Sequence, residues 1–404
     1  MSKTKAKRRS PGSGSVWPYK EKNGTLRYAI AHPSFGTRRV GTDGEAWHSP
    51  AEAEEALTEM RVAAKRGELI DPSKQSLGAY LADWADGLRL APSTLASYRK
   101  NIRLHLAGLA GVPLASLTTA QIDKHYRQLE HSGRADHRKG EGLSPRTVRY
   151  VHTILSSALS GAVESGRIAR NPCGRAHPPT AGQAKAPEMV CWTGPELSVF
   201  LAWSARSSQL HVLWAMLATT GMRRGELLAL RWRDIDLDAG TVSIRRSAGV
   251  VRVKGEGAAI TEGDTKTRKA RVVDLGAMLV ALLRAYKAAR GTMALQLAHR
   301  DALAFGDHEG RHRHPERLSR TFKAELARCA RDLGDGAPPK IRLHDLRHTH
   351  ASLLLAGGTP VKVVSERLGH ASAMITLGTY AHVMPGNQRA AADAFDALIG
   401  GAQA

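Results

Sequence analysis

Three rhythms of apolar and polar positions run along this chain. Near the N-terminus the apolar residues come in short runs: Val16–Tyr19, Leu26–Ile30 and Thr37–Thr42 each have strand length. Asn23-Gly24, between the first two, signals a type I′ hairpin turn. Ser49-Pro50-Ala51-Glu52 then opens a helix, with Ser49 as N-cap, Pro50 at the first helical position and Glu52 completing a capping box. These signals predict a small sheet-plus-helix module over residues 16–70. From 73 to 172 the punctuation becomes helical. Ser93/Thr94 precede Leu95–Leu106, Thr118-Thr119-Ala120-Gln121 is a capping box, and Ser144-Pro145 precede Arg146–Ser165. Asn171-Pro172 closes the segment. Residues 173–187 have linker composition. A further capping box, Thr193-Gly194-Pro195-Glu196, opens a last part, 188–404, that is mostly helical. Within it Thr241–Arg246 and Ala270–Leu275 read as strands joined by a long Gly-rich, charged loop, and Asn387–Ile399 as a short helix carrying Phe395, Leu398 and Ile399. The expected class is mainly α with small β elements (α+β).

Composition narrows what such a chain does. It has 404 residues, 42% of them hydrophobic, enough to build real cores. Its 59 Lys+Arg against 37 Asp+Glu leave a net charge of +22, which favours a polyanionic partner and nucleic acid above all. No apolar run approaches the ~18 residues that span a bilayer. The basic start (Lys3, Lys5, Lys7, Arg8, Arg9) runs into Ser10–Ser15 where a signal peptide needs apolar residues. A cytoplasmic, nucleoid-associated protein is expected. Cys173, Cys191 and Cys329 are odd in number and widely spaced, so they suggest neither a disulfide framework nor a zinc site. No GxxxxGK[ST] loop is present, and no nucleotide cofactor is expected.

The charge is not spread evenly. Residues 1–15 form a basic, flexible arm with no acid before Glu21, suited to following phosphates or to acting as a solubilising tail. Arg27, Arg38 and Arg39 lie on the predicted strands, where a basic sheet can enter a major groove or simply face solvent. Between Arg89 and Arg170 thirteen lysines and arginines stand against five acids. Arg99, Lys100 and Arg103 share one helix with Tyr98, and Arg146 and Arg149 lie on another; they are candidates to position a duplex by its backbone, or are ordinary surface charge.

Four segments of the last part concentrate cationic and proton-transferring groups. Thr220-Gly221-Met222-Arg223-Arg224-Gly225-Glu226 sets an arginine just past a glycine turn, able to fork onto a phosphate, with Glu226 one turn later to orient it. Thr265-Lys266-Thr267 offers a lysine on the loop before the second strand. His344-Asp345-Leu346-Arg347 puts a histidine and an arginine three apart on one helix face. Leu368-Gly369-His370 precedes Tyr380 by ten residues. His344 and His348, at i and i+4, also invite a metal reading. However, Asp345 follows His344, the HExxH glutamate is missing and Arg347 lies between them, so no metal site is expected.

Taken together and in this order, Arg223, Lys266, His344, Arg347, His370 and Tyr380 resemble the catalytic set of the tyrosine recombinase (phage integrase) family. The likeness is most specific in Thr220–Trp232, His344–Ser352 and Leu368–His382. It implies a 188–404 catalytic domain, a 73–172 helical core-binding domain and a 16–70 arm-type DNA-binding domain, as in the longer integrases. It also implies strand cleavage by Tyr380 through a 3′-phosphotyrosine, with Arg223 and Arg347 neutralising the phosphate and His370 bound to it. His344 is the expected base and Lys266 the expected acid. Lys269 rivals Lys266, and Lys254 does so more weakly. The implied partners are double-stranded attachment sites, three further copies of the chain on DNA, and accessory proteins such as a directionality factor or a host DNA-bending protein. The separate basic N-terminal modules favour an integrase of a prophage or integrative plasmid. A type IB topoisomerase-like DNA relaxase or a non-catalytic DNA-binding regulator is the alternative.

Overall fold

The computed structural model describes residues 13–21, 23–33, 36–41, 45–65, 75–134, 140–185, 189–253, 257–264, 270–381, 392–393 and 395–397. Two compact units divide the chain, Met1–Ala186 and Pro187–Ala404.

The first unit opens with an antiparallel sheet, β1 (Ser15–Lys20), β2 (Leu26–His32) and β3 (Gly36–Arg38), in that order. The hairpin is present, but the two-residue type I′ turn is not. The register pairs Lys20 with Leu26 and leaves Glu21–Thr25 as the connection. Glu21 and Gly24 close it, with Glu21 N donating to Thr25 O (3.0 Å) and Gly24 N to Glu21 O (2.9 Å). Asn23 folds its own side chain back, its Oδ1 accepting from Thr25 N at 3.0 Å. The third strand is shorter than Thr37–Thr42, and Thr42 lies outside the described residues. Helix α1 (Pro50–Lys65) is capped by Ser49, whose Oγ accepts from Glu52 N at 3.2 Å; Glu52 in turn accepts from His48 N (2.8 Å), so half of the capping box is shifted by one residue. Ile30, Trp47, Ala53, Leu57 and Met60 make this module's core.

Four helices follow: α2 (Leu77–Gly87), α3 (Pro92–His105), α4 (Thr119–Ser132) and α5 (Pro145–Glu164). Helix α3 starts at Pro92, ahead of the expected Ser/Thr cap. Proline at the first position has no N–H to satisfy, and Ala91 precedes it without a side-chain cap. The Thr118–Gln121 box forms in both directions, at 2.9 and 3.3 Å. Helix α5 supplies the apolar face: Val148, Val151, Leu155, Ala158, Leu159 and Ala162 pack with Leu77, Leu81, Ile122 and Tyr126. The stretch with linker composition is partly tied down. Cys173 is buried in this core, Arg149 Nη1 donates to Pro179 O (2.9 Å), and the His177 ring lies 2.9 Å from Asp123 Oδ2.

The second unit begins with α6 (Gly194–Ser207), α7 (His211–Thr220) and α8 (Arg224–Leu228). Strands β4 (Ile235–Asp236), β5 (Thr241–Ile244), β6 (Arg246–Val253), β7 (Gly257–Asp264) and β8 (Arg271–Asp274) follow, then α9 (Ala277–Met293), α10 (Pro315–Leu333), α11 (Asp345–Ala356), α12 (Val361–Leu368) and α13 (Ala373–Tyr380). Strands β4, β5 and β8 form one antiparallel sheet. The presumed loop between the two expected strands holds a ribbon instead, β6 against β7, paired from Arg246↔Asp264 to Val253↔Gly257. Gly249 and Gly263 break its alternation, and among the ribbon's side chains Ala248 joins the core and Ile260 packs partly against it. The core wraps α7 with aromatics: Trp214 and Phe322 have ring centroids 5.2 Å apart, and Phe200 and Trp192 lie beside them. Among the described residues no helix is long and apolar enough to cross a membrane.

Because Leu155 is fully buried at the centre of the first unit's helical core, Leu155→Ala is expected to destabilise that unit by about 2–5 kcal/mol. Urea unfolding followed by tryptophan fluorescence checks it.

Candidate active site

The site begins at a turn. Helix α7 ends on Gly221, which takes φ +63°, a left-handed conformation that favours glycine. A side chain there would also meet His350 Cδ2 at 2.7 Å and Leu368 Cδ2 at 2.8 Å. The chain reverses and places Arg223 at the start of α8. Across this turn lies Arg347 of α11, 3% exposed, whose Nη1 donates to the Gly221 carbonyl at 2.8 Å. Its Nη2 is buried without a hydrogen-bond partner among the described residues. Burial, and then the charge of Arg223, push the Arg347 pKa down to about 9. An unsatisfied, strained cation is what a phosphate oxygen would relieve.

Glu226 fixes the first arginine. Its carboxylate is fully buried and accepts from Arg223 N and Arg223 Nη1, both at 2.8 Å. It also accepts from Arg271 of β8, from Nη2 at 2.7 Å and Nη1 at 3.2 Å. Although burial alone would raise its pKa, hydrogen bonds from Arg271 and Arg223 and their charges hold it below the usual carboxylate value. Arg271 Nε in turn donates to Arg367 O (2.8 Å). Gly369 ends α12 at φ +65°, and a Cβ there would meet Arg271 Nη1 at 2.8 Å. The sequence pointed to Glu226 as an orienting group but not to Arg271, whose signal lies in a strand edge that only the fold brings to this carboxylate.

The histidines and the tyrosine converge on the same corner. His370 follows Gly369, and its Nδ1 lies 2.7 Å from the Thr376 hydroxyl of α13. Burial, then Arg347 and Arg223, push its pKa down to about 4. Tyr380, the last residue of α13, is 1% exposed and packs its ring among Ala351, Leu355, Val364 and Leu368. Burial pushes its pKa up to about 12, against the opposing pull of Arg347. The partner of the Tyr380 hydroxyl is His348, at 2.6 Å from Nδ1, rather than His344. His344 occupies the N-cap of α11 with an exposed edge, and its ring meets His348 edge-on at 5.1 Å. One helical turn separates the two histidines, and it is the later one that turns inward toward α13. Desolvation of its inner side, then His348 and Arg347, push the His344 pKa down to about 4. The sequence reading noted His348 only as half of a possible metal pair. Among the described residues no group of three or more His, Cys, Asp or Glu is placed to hold a metal. Lys266, Lys269 and Lys254 lie outside the described residues, between strands whose ends are described.

The candidate DNA-contacting residues are more scattered. Arg27 is held by His48 (2.6 Å) and lies 3.8 Å from Glu21, while Arg39 stacks over the Tyr19 ring at 4.9 Å. Arg38 is half-buried on β3. On α3, Arg99 pairs with Asp86 at 2.7 Å, and Lys100 and Arg103 are exposed. Arg146 and Arg149 line a hollow of about 380 Å³ with Tyr150, Thr153, Ala181 and Ala184.

Removing the charge of Glu226 leaves Arg271 and Arg223 facing one another uncompensated. Glu226→Gln is expected to cost on the order of 3 kcal/mol of stability at neutral pH. A carboxylate with a lowered folded pKa contributes its stability above the unfolded value of ~4.3 and loses it as the pH falls through the folded value. Thermal unfolding from pH 7 downward should therefore show a smaller acid-side loss in the variant than in the wild type.

Comparison with known proteins agrees with this geometry. Residues 198–386 match the model of the phage integrase family. A XerC-like tyrosine recombinase of Caldanaerobacter subterraneus subsp. tengcongensis is 26% identical over 363 residues, covering 86% of this chain and 90% of its own length. Among solved structures, the integrase of transposon Tn1549 in complex with a circular intermediate DNA superposes with a TM-score of 0.65 at 18% identity, over 80% of this chain and 99% of that one. A lambda integrase dimer bound to a core site gives 0.53 at 19% identity, over 95% and 98%. The arginine-lined corner and the buried tyrosine both fall inside the match, so residues 198–386 form a phage integrase family domain, and the chain as a whole is similar to tyrosine recombinases.

Proposed function

We propose that this site-specific recombinase integrates and excises a mobile DNA element, cleaving each strand through a 3′-phosphotyrosine on Tyr380. The observation that carries the reading is the convergence of two arginines, one satisfied by a buried carboxylate and one left with a free donor, on the corner that holds the Tyr380 hydroxyl. A phosphodiester repels an incoming oxygen, and its transition state spreads more charge over the non-bridging oxygens. Arg223 and Arg347 are placed to take up that charge, and losing one such preorganised donor typically costs ~10²–10³ in rate. His370, oriented by Thr376 and neutral at pH 7, donates to a non-bridging oxygen, and exposed His344 supports the same phosphate. Lys266, in the segment between Asp264 and the Glu226-bound Arg271, protonates the leaving 5′-oxygen; Lys269 is its competitor. The phosphotyrosine retains the energy of the broken bond, so rejoining to a partner strand requires no nucleotide cofactor.

Exchange of two duplexes involves four strands and therefore four copies of the chain. The arm (residues 1–15), the 16–70 module and the 73–172 helices supply DNA contacts outside the cleaved bond, through Arg27, Arg38, Arg39, Arg99, Lys100, Arg103, Arg146 and Arg149. Accessory proteins, a directionality factor or a host DNA-bending protein, would bias integration against excision. Double-stranded attachment sites are the substrate. The exposed Phe395 in the tail is available for contact with a neighbouring copy.

Tyr380→Phe should bind attachment-site DNA with unchanged affinity and form no covalent adduct on nicked DNA in a denaturing gel; an adduct from this variant would move the nucleophile elsewhere. Deleting residues 1–70 should leave core-site cleavage intact while integration between two attachment sites drops at least tenfold; equal integration would remove the arm-binding role.

A further inference from the structure

The proton of Tyr380 has to leave a buried place. The ring is enclosed by Ala351, Leu355, Val364 and Leu368, and the residue is only 1% exposed. A phenol in that setting ionises only at about pH 12 and is a poor nucleophile unless a base takes its proton during attack. The one hydrogen bond the described residues give this hydroxyl is to His348 Nδ1, at 2.6 Å, with the ring centroids 5.7 Å apart. That distance lies within the reach required of a general base.

We propose that His348, rather than His344, is the general base that accepts the Tyr380 proton during cleavage and returns it during rejoining. The inference rests on the reading of Tyr380 as nucleophile. In cleavage the Oη–H bond breaks and Nδ1–H forms, while Oη–P forms and P–O5′ breaks; the 5′-oxygen takes its proton from the acid assigned to Lys266. In rejoining, the 5′-hydroxyl gives that proton back as it attacks phosphorus, and the departing Oη recovers its own from the His348 imidazolium. No proton is gained or lost over the cycle.

The surroundings suit both halves. For Nδ1 to accept, His348 must be neutral, and burial with the charges of Arg347 and Arg342 keeps its pKa below the usual histidine value. The opposing group is Asp345, one turn earlier on α11, whose negative charge favours the imidazolium once the proton has arrived. Asp345 is 3% exposed and is held by Arg342, whose Nε and Nη2 donate to it at 3.0 and 2.8 Å. His344 touches His348 edge-on from the N-cap. It is placed to steady the ring, whereas the 2.6 Å contact belongs to His348.

The test is adduct formation on nicked attachment-site DNA by the full-length protein. His348→Asn keeps an acceptor but cannot hold a proton at neutral pH, and is expected to slow the adduct ~10²–10⁴-fold with DNA binding unchanged. Replacing Tyr380 with a fluorinated tyrosine, whose phenol ionises near neutral pH, should then restore most of the lost rate in the His348→Asn background. A substrate with sulfur in place of the 5′-oxygen, which needs no acid, should not. In a parallel His344→Asn protein the fluorinated tyrosine should restore nothing. Rescue of His348→Asn by sulfur but not by fluorine would assign it to the leaving group and overturn the proposal, as would rescue by neither or a wild-type rate. Absence of any adduct from the wild type would instead overturn the nucleophile itself.

Discussion

A carboxylate with no exposed surface has to be surrounded by cations, and in this protein that demand organises the site. Glu226 on α8 is satisfied by Arg223 from its own helix start and by Arg271 from β8. An ion of this kind would be prohibitive alone, and it is tolerated because several donors converge on it. The helix, the sheet edge and the turn after α7 are thereby pinned to one point. Arg271 also reaches the end of α12 through the Arg367 carbonyl, so the same point reaches the segment that carries His370.

The arrangement leaves more positive charge in the corner than Glu226 can neutralise. Arg347 is buried near Arg223 with one donor satisfied by a backbone carbonyl and another unsatisfied, and its lowered pKa is the electrostatic expression of that conflict. His344, His348 and His370 all lie in this field and all remain neutral near pH 7. At neutral pH the corner therefore combines permanent cations with uncharged imidazoles. An anion entering such a corner meets dipoles and charges already oriented toward it, so little reorganisation remains to be done when the bond breaks.

Much of this was legible in the order of residues. Arg223 and His370 each follow a glycine turn and Arg347 lies at a helix start, whereas Tyr380 was recognisable only by its spacing from Leu368-Gly369-His370. The capping boxes at Thr118 and Thr193 formed as their spacing implied, since a cap is a contact between residues three apart. What escaped depends on contacts between distant residues. His348 looks like His344 in the sequence, and only the packing of α13 against α11 decides which ring meets the phenol. Arg271 carries no motif, and its partner lies 45 residues earlier. The β6–β7 ribbon was hidden because a strand pair with little buried surface and several glycines does not alternate. The start of the presumed linker was misleading for the opposite reason: a proline- and glycine-rich composition does not prevent Cys173 from filling a hole in a core.

Gly221 and Gly369 do no chemistry, yet each ends a helix in a conformation closed to other residues and each leaves no room for a methyl group. One faces His350 and Leu368, the other Arg271. In a saturation screen scored only by recombination, both positions would be as intolerant as Arg347 or Tyr380. Read without the structure, such a map would add to the proposed catalytic set two positions that matter for clearance alone. The two glycines are better understood as the clearance that the surrounding side chains require. Any scheme to transplant this corner into another scaffold would have to carry that clearance along with the arginines.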